Sequence, residues 1–386
     1  MVIKIVKRIL SNATILTGDD LEITRGYIII KGKTISEVSE GSPPTRGENL
    51  KGGFVIPPFV NAHTHVMDSI AKDLYIGRTQ EQVVGPGGVK FRSLESSSRK
   101  RILTATKATL LDMIQTGTLA HCDFREGAVQ GINMIKKISP PQLKSIILGR
   151  SKKSKDIHEI LKASDGIGLP RVDAFSQEEM KKISQQTLRA NKLFAVHVAE
   201  TEDDQIRSMK KFGMSETLQG ISLRSSFVVH GTHSGADDFS KLRKNNIPVV
   251  FCPRSNCLLS VGVPPMKIAL ESGVDFLFGT DNAMVCQPNM FEELSFAWTC
   301  LRRDKASYGS ADAREILKAA TIKPLTFFNL PWGGIKEGER ATFMVLAKRN
   351  NLTNLSDVFA GLLNRARADN IRAIYQGGKI IYKLKH

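Results

Sequence analysis

Residues 176–201 read SQEEMKKISQQTLRANKLFAVHVAET. The stretch changes character midway. A polar, helix-like segment gives way to the short β-rich run 193–198, and that run ends around His197. The same alternation recurs through the middle of the chain. Eight such runs stand at 54–61, 118–124, 144–149, 166–169, 193–198, 226–230, 248–252 and 274–280. Helix-like segments such as SSSRKRILTATKATLLDMIQTG (96–117) separate most of them. Strand–helix alternation argues for the α/β class and a parallel sheet, and eight units over about 280 residues match a (β/α)8 TIM-like barrel. An open doubly wound sheet would carry a Gly-rich fingerprint after its first strand, and none is there.

Outward from this middle the pattern changes. Residues 1 to about 50 alternate apolar and polar with Gly, Asn and Asp breaks, as antiparallel strands do. The end of the chain behaves alike: ERATFMVLAK, then IRAIYQGGKIIYKLK with Gly377-Gly378 at the turn. The economical arrangement is a small β-sandwich built from 1–52 and 335–386, with the catalytic barrel 53–334 inserted. The opening MVIKIVKRILSNAT is interrupted by Lys4, Lys7 and Arg8 and reads as a strand, not a signal peptide. No apolar run approaches the roughly 18–20 residues of a membrane span, and five cysteines in no disulfide-rich spacing suit a reducing cytoplasm. The 55 Lys+Arg outnumber the 38 Asp+Glu, a net charge of +17. The excess is scattered in small groups such as Arg99-Lys100-Arg101, which reads as a solvated basic surface. A basic nucleic-acid-binding protein with a vestigial barrel is the rival from another class. No aromatic-interleaved basic motif supports it.

The chemistry sits at the strand ends. His63 and His65 lie two apart at the end of the first run, so they project from one face of an extended strand as a bidentate start to a metal site. His197, His230 and Asp281 end the fifth, sixth and eighth runs. Barrel enzymes place their catalytic groups at strand C-termini. His121 and Cys122 point to opposite faces of the second run, and one of them fills the interior. His158, His233 and His386 fall in helix, loop and terminus and receive no metal role, while Cys252 and Cys257 read as packing or a thiolate pair.

VIPPFVNAHTH, HVAET, VVHGTH, CPRSN and FGTDNAM, in this order, resemble the signatures of the amidohydrolase superfamily in its metal-dependent deaminase and chlorohydrolase branch. GGIKEGERATFMVLA and IRAIYQGGKIIY resemble that branch's return to the β-domain. The resemblance implies one divalent metal, Zn2+ with Fe2+ as the alternative, on His63, His65, His197 and Asp281. It implies Glu200 as general acid/base and His230 as the residue that polarises the group attacked, with Asp281 also able to take a proton from water. It suggests a homo-oligomer. Binuclear members need a carboxylated Lys at strand four, and GIGLPRVDAF holds none, which supports one ion. Many deaminases of the branch carry Gly-Pro-His there, where this chain has Gly168-Leu169-Pro170-Arg171. The segment after His65, IGRTQEQVVGPGGVKFRSLE, also departs from the family's apolar lid.

Arginines close four strands: Arg125, Arg150, Arg171 and Arg254. Guanidinium groups suit carboxylate and phosphate. The bland reading pairs any one of them with an acid such as Asp123, Glu126 or Asp173, but four together favour an anionic substrate such as a nucleotide or a carboxylated heterocycle. The expectation is therefore a cytoplasmic, metal-dependent aminohydrolase of a nucleobase-like heterocycle, anionic if the arginines bind it. Hydrolysis of a cyclic amide C–N bond is the alternative within the class.

Overall fold

The computed structural model describes residues 7–384; the strand start read over 1–6 and the terminal His386 lie outside them. The chain separates into two compact units. One is made of residues up to 60, 113–119 and those from 290 onward, the other of 61–112 and 120–289. None of the described helices is long and apolar enough to cross a membrane.

The first unit is built on a seven-stranded sheet from both ends of the chain. Its strands are β1 (Lys7–Thr17), β2 (Glu22–Lys31), β3 (Thr34–Glu40), β4 (Glu48–Ile56), β14 (Phe343–Leu346), β15 (Ile371–Gln376) and β16 (Lys379–Lys383). The order is β16-β15-β14-β4-β1-β2-β3, with β1 antiparallel to β2 and parallel to β4. Where two layers of a sandwich were expected, hydrogen bonding gives one continuous sheet, and its far regions approach each other. The Ile35 N–H donates to Glu339 O at 2.9 Å, the Ala341 N–H to Lys33 O at 2.8 Å, and Thr34 bridges Arg340. Apolar side chains drive this curl. Leu10, Ile15, Ile30, Phe343 and Tyr375 share one buried core, with the last two rings stacked at 4.9 Å. Emptying such a site by Phe→Ala costs about 3–5 kcal/mol.

The second sheet is parallel and nine-stranded, in the order β12-β11-β10-β9-β8-β7-β6-β5-β13. β5 (Phe59–His65), β6 (Thr118–Arg125), β7 (Lys144–Gly149), β8 (Gly166–Leu169), β9 (Leu193–Val198), β10 (Phe227–His230), β11 (Val249–Phe251) and β12 (Phe276–Phe278) follow the runs read from the sequence. The run 54–61 is the exception. Pro57 and Pro58 have no N–H for a sheet ladder, so β4 stops at Ile56 and β5 starts at Phe59. The eighth run is interrupted too. After Gly279 and Thr280 it resumes as β13 (Asp281–Asn282). β12 pairs with β11 while β13 pairs with β5, so one short piece of chain meets both ends of the curled sheet. Gly279 makes the close approach feasible, because a Cβ there would lie 2.6 Å from the His63 Cβ. Asn61 stitches the junction: its Oδ1 accepts from the Thr280 N–H at 3.0 Å and its Nδ2 donates to Thr280 Oγ1 at 2.7 Å.

Candidate metal centre

The register of β13 on β5 sets Asp281 opposite Thr64, between the two histidines of the H-x-H. His63 Nε2 lies 3.1 Å from Asp281 Oδ1, and His65 Nε2 lies 3.6 Å from the same oxygen. The ring of His197, from β9, is 4.9 Å from that of His63 and 5.2 Å from that of His230. His63, His65 and His197 form one group able to hold an ion, and His63, His230 and Asp281 form a second that shares His63. All five side chains are buried. His230 and Asp281 take left-handed backbone angles, φ 72° and 57°. Such strain in non-glycine residues persists where the surrounding fold over-determines it, as at functional sites.

Second contacts fix His197, His230 and Asp281. The Leu169 carbonyl can only accept, so His197 carries its proton on Nδ1, 2.8 Å away, and leaves the Nε2 lone pair bare. His230 Nδ1 pairs with Asn256 Oδ1 at 3.0 Å, and Ser255 Oγ donates to Asp281 Oδ2 at 2.6 Å. Phe124 closes the floor with its ring 4.4 Å from that of His63. Burial lowers the pKa values of His63, His65 and His197, so all three imidazoles are neutral at pH 7, the form that binds a metal. Neutral imidazole nitrogens and a carboxylate oxygen gathered out of water are donors of the kind that suit a divalent ion such as zinc.

Glu200 follows β9 by two residues, and its Oε2 stands 3.7 Å from His230 Nε2. Burial pushes its pKa up, and the nearby Asp281 adds to the rise. Gln80 Nε2 donates to Glu200 Oε1 at 3.1 Å. Gln80 also lines a cavity of about 910 Å³, with Tyr75, Ile76, Leu258 and Val261 as apolar wall and Arg78, Glu202 and Asp203 among its charged groups.

The strand-end arginines behave differently from an uncompensated set. Arg125 is 1% exposed and is paired with Asp123 and Glu126. Arg150 pairs with Glu126, and Arg171 with Asp173 at 2.9 Å. Arg254 Nη1 donates to the Gln287 carbonyl at 3.3 Å. None of the four is among the residues lining the cavity. The repulsion that called for an anionic substrate is thus relieved by the chain's own acids at Arg125, Arg150 and Arg171. Lys90 is 3% exposed and sits between Asp68 at 2.8 Å and Glu126 at 2.6 Å. His121 and Cys122 are both buried; the former bonds Thr64 Oγ1 at 3.0 Å and Ser145 Oγ at 2.8 Å. Cys252 and Cys257 join none of the metal-capable groups among the described residues. Gln80, Phe124, Ser255 and Asn256 were not singled out from the sequence. Ser255 and Asn256 stand within the quoted CPRSN, the one signal that pointed at them.

Buried, electron-rich donors at the ends of parallel strands, with a carboxyl of raised pKa alongside, define a hydrolase that works with a metal ion. The chain belongs to the amidohydrolase family, which residues 54–381 match. A putative aminohydrolase of Methanothermobacter thermautotrophicus is 31% identical over 97% of this chain and 98% of that protein. A 5-methylthioadenosine/S-adenosylhomocysteine deaminase of Pyrococcus abyssi is 26% identical over 97% of this chain and 93% of that one. Among solved structures, an adenosine deaminase from Xanthomonas campestris with bound zinc superposes with a TM-score of 0.76 at 15% identity, covering 96% of this chain and 92% of that one.

Proposed function

We propose that the chain is a zinc-dependent aminohydrolase that replaces the exocyclic amine of a purine-like nucleoside or nucleobase by a carbonyl oxygen, releasing ammonia. The curled sheet of the second unit is read as a closed (β/α)8 barrel within 53–334, flanked by the terminal segments 1–52 and 335–386. The observation that carries the function is Glu200: a partly buried carboxyl with a raised pKa, 3.7 Å from His230 and bonded to a residue of the cavity wall. His63, His65, His197 and Asp281 would hold one ion. A divalent ion there lowers the pKa of water toward about 7.

The chain's own groups divide the rest of the work. Asp281, ionised and steadied by Ser255, accepts the proton of the attacking water. His230, held by Asn256, directs Nε2 to the oxygen being added. Glu200 gives its proton to the ring nitrogen next to the attacked carbon; the proton taken by Asp281 then leaves with the amine as ammonia, and the remaining proton of the added oxygen restores Glu200. The named activities of the Pyrococcus and Xanthomonas proteins support an adenine-type substrate. Internal pairing of Arg125, Arg150 and Arg171 supports a neutral one. The test is an ammonia-release screen of zinc-loaded protein on adenosine, 5′-methylthioadenosine, S-adenosylhomocysteine, guanine and cytosine, with cyclic amides alongside. Release from a purine compound supports the reading. Ring opening of a cyclic amide with no ammonia from any amine would replace it.

A further inference from the structure

Four hydrogen bonds form a closed ring beside Glu200. The Ala199 N–H donates to Glu216 Oε2 at 2.8 Å. The Glu216 N–H donates to Gln205 Oε1 at 2.9 Å. Gln205 Nε2 donates to the His233 carbonyl at 3.1 Å, and the His233 N–H returns to the Ala199 carbonyl at 2.9 Å. The ring joins four separate pieces of chain: the end of β9, the helix Glu202–Phe212, the helix Glu216–Ser222 and the loop after β10. A fifth bond ties it to the cavity, since His233 Nε2–H donates to the Val261 carbonyl at 2.7 Å and both residues line the wall.

Ala199 is the residue directly before Glu200, and it takes a left-handed backbone, φ 48°. An alanine pays for that conformation by a Cβ clash that glycine escapes. Relaxing it would turn the next peptide and swing Glu200 away from His230. Both polar groups of Ala199 are engaged in the ring, so the strained turn has no free hydrogen bond with which to rearrange. Glu216 is 3% exposed, and its carboxylate is spent on Ala199.

We propose that this ring sets the aim of Glu200, with Glu216 and Gln205 as positioning residues for proton transfer; the proposal rests on Glu200 being the proton carrier. Misplacement of a catalytic group by about 1 Å can cost about 10²-fold in rate. Glu216→Ala should therefore lower kcat about 10–100-fold, with KM and bound zinc unchanged. Glu216→Gln keeps an acceptor oxygen and should stay close to the parent. Gln205→Leu, which breaks the ring on its far side, should lose kcat in the same sense, and it stands in if Glu216→Ala does not fold. The decisive comparison is the double variant Glu200→Gln/Glu216→Ala, read on the amine substrate found in the screen. If Glu216 acts through Glu200, the double variant is no slower than Glu200→Gln alone. Losses that multiply, or a Glu216→Ala enzyme with the parent's kcat, would overturn the proposal while leaving Glu200's role intact. Full turnover by Glu200→Gln on its own would instead overturn the functional reading and this proposal with it. Amide exchange at Ala199 gives a readout free of activity: it should accelerate in Glu216→Ala and not in Glu216→Gln.

Discussion

Two buried polar clusters meet in one unit of this chain, and they solve the problem of burial in opposite ways. Asp68, Lys90, Asp123, Arg125, Glu126 and Arg150 supply three carboxylates and three cations, paired among themselves. His63, His65, His197, His230, Asp281 and Glu200 supply imidazoles and acids, and burial keeps the first three imidazoles neutral. The clusters touch where His65 Nδ1 comes within 3.5 Å of Glu126 Oε1. Burying a charge costs several kcal/mol unless a partner compensates it. In the first cluster the fold supplies the partners, so the groups brace the framework. In the second the lone pairs converge on a point that the chain does not fill with a cation of its own. Compensated burial marks structure, and uncompensated donors mark a place for something from outside.

The largest test of that contrast removes a donor. His63 belongs to both metal-capable groups, so His63→Ala should abolish stoichiometric zinc and activity together, as read by elemental analysis and turnover. Two ions per parent chain would break the mononuclear reading. Glu200→Gln comes next. It should keep zinc and lose about 10²–10⁴ in kcat, the scale of general acid–base catalysis. Loss of the ion in that variant would make Glu200 a ligand.

How far this contrast was visible beforehand depends on the distance over which each contact acts. Runs 144–149, 166–169 and 193–198 match β7, β8 and β9 to the residue, because apolar runs between polar helices have sharp edges. His63, His65, His197, His230 and Asp281 were legible because each ends a run of this kind. What was hidden came from contacts between distant residues. Nothing near His197 announces the Leu169 carbonyl 28 positions earlier. Nothing beside Lys90 in the sequence announces Asp68 and Glu126, which lie 22 and 36 positions away and meet it in the fold. The arginines carried their answer beside them, since Asp123, Glu126 and Asp173 lie within two residues of Arg125 and Arg171.

Lys90→Met sharpens the framework side of the comparison. It leaves Asp68, fully buried, without its ammonium partner. Burial already raises the Asp68 pKa to about 6 against the pull of Lys90, and removing Lys90 raises it further. A carboxyl with a folded pKa above its unfolded value binds more protons when folded. Its presence therefore costs stability as pH rises from about 4 through the folded pKa. The variant should be destabilised by about 3 kcal/mol at pH 8 and by less at pH 5, with zinc content near the parent's. A pH-independent loss, measured by denaturant titration, would place the cost in packing instead.

The smallest expected effect is at Arg171, and it separates structural pairing from substrate binding most directly. Arg171 stands where many deaminases of the branch place a substrate-contacting histidine, so its charge invites a role with an anionic ligand. Its guanidinium instead meets Asp173 through two bonds, at 2.9 and 3.1 Å, with 42% of the side chain exposed. An ion pair that open to water contributes about 0–1 kcal/mol. Arg171→Met keeps the apolar stem and should lower stability by no more than that, with kcat/KM unchanged for a neutral nucleoside and for its 5′-phosphate alike. A selective loss for the phosphate, on the scale of about 2–3 kcal/mol for a charge-assisted hydrogen bond, would move Arg171 from the framework to the binding surface. It would also return an anionic substrate to the site. Equal kinetics with a small fall in melting temperature would leave the two clusters as they stand: one balanced by its own charges, the other open to an ion and a neutral base.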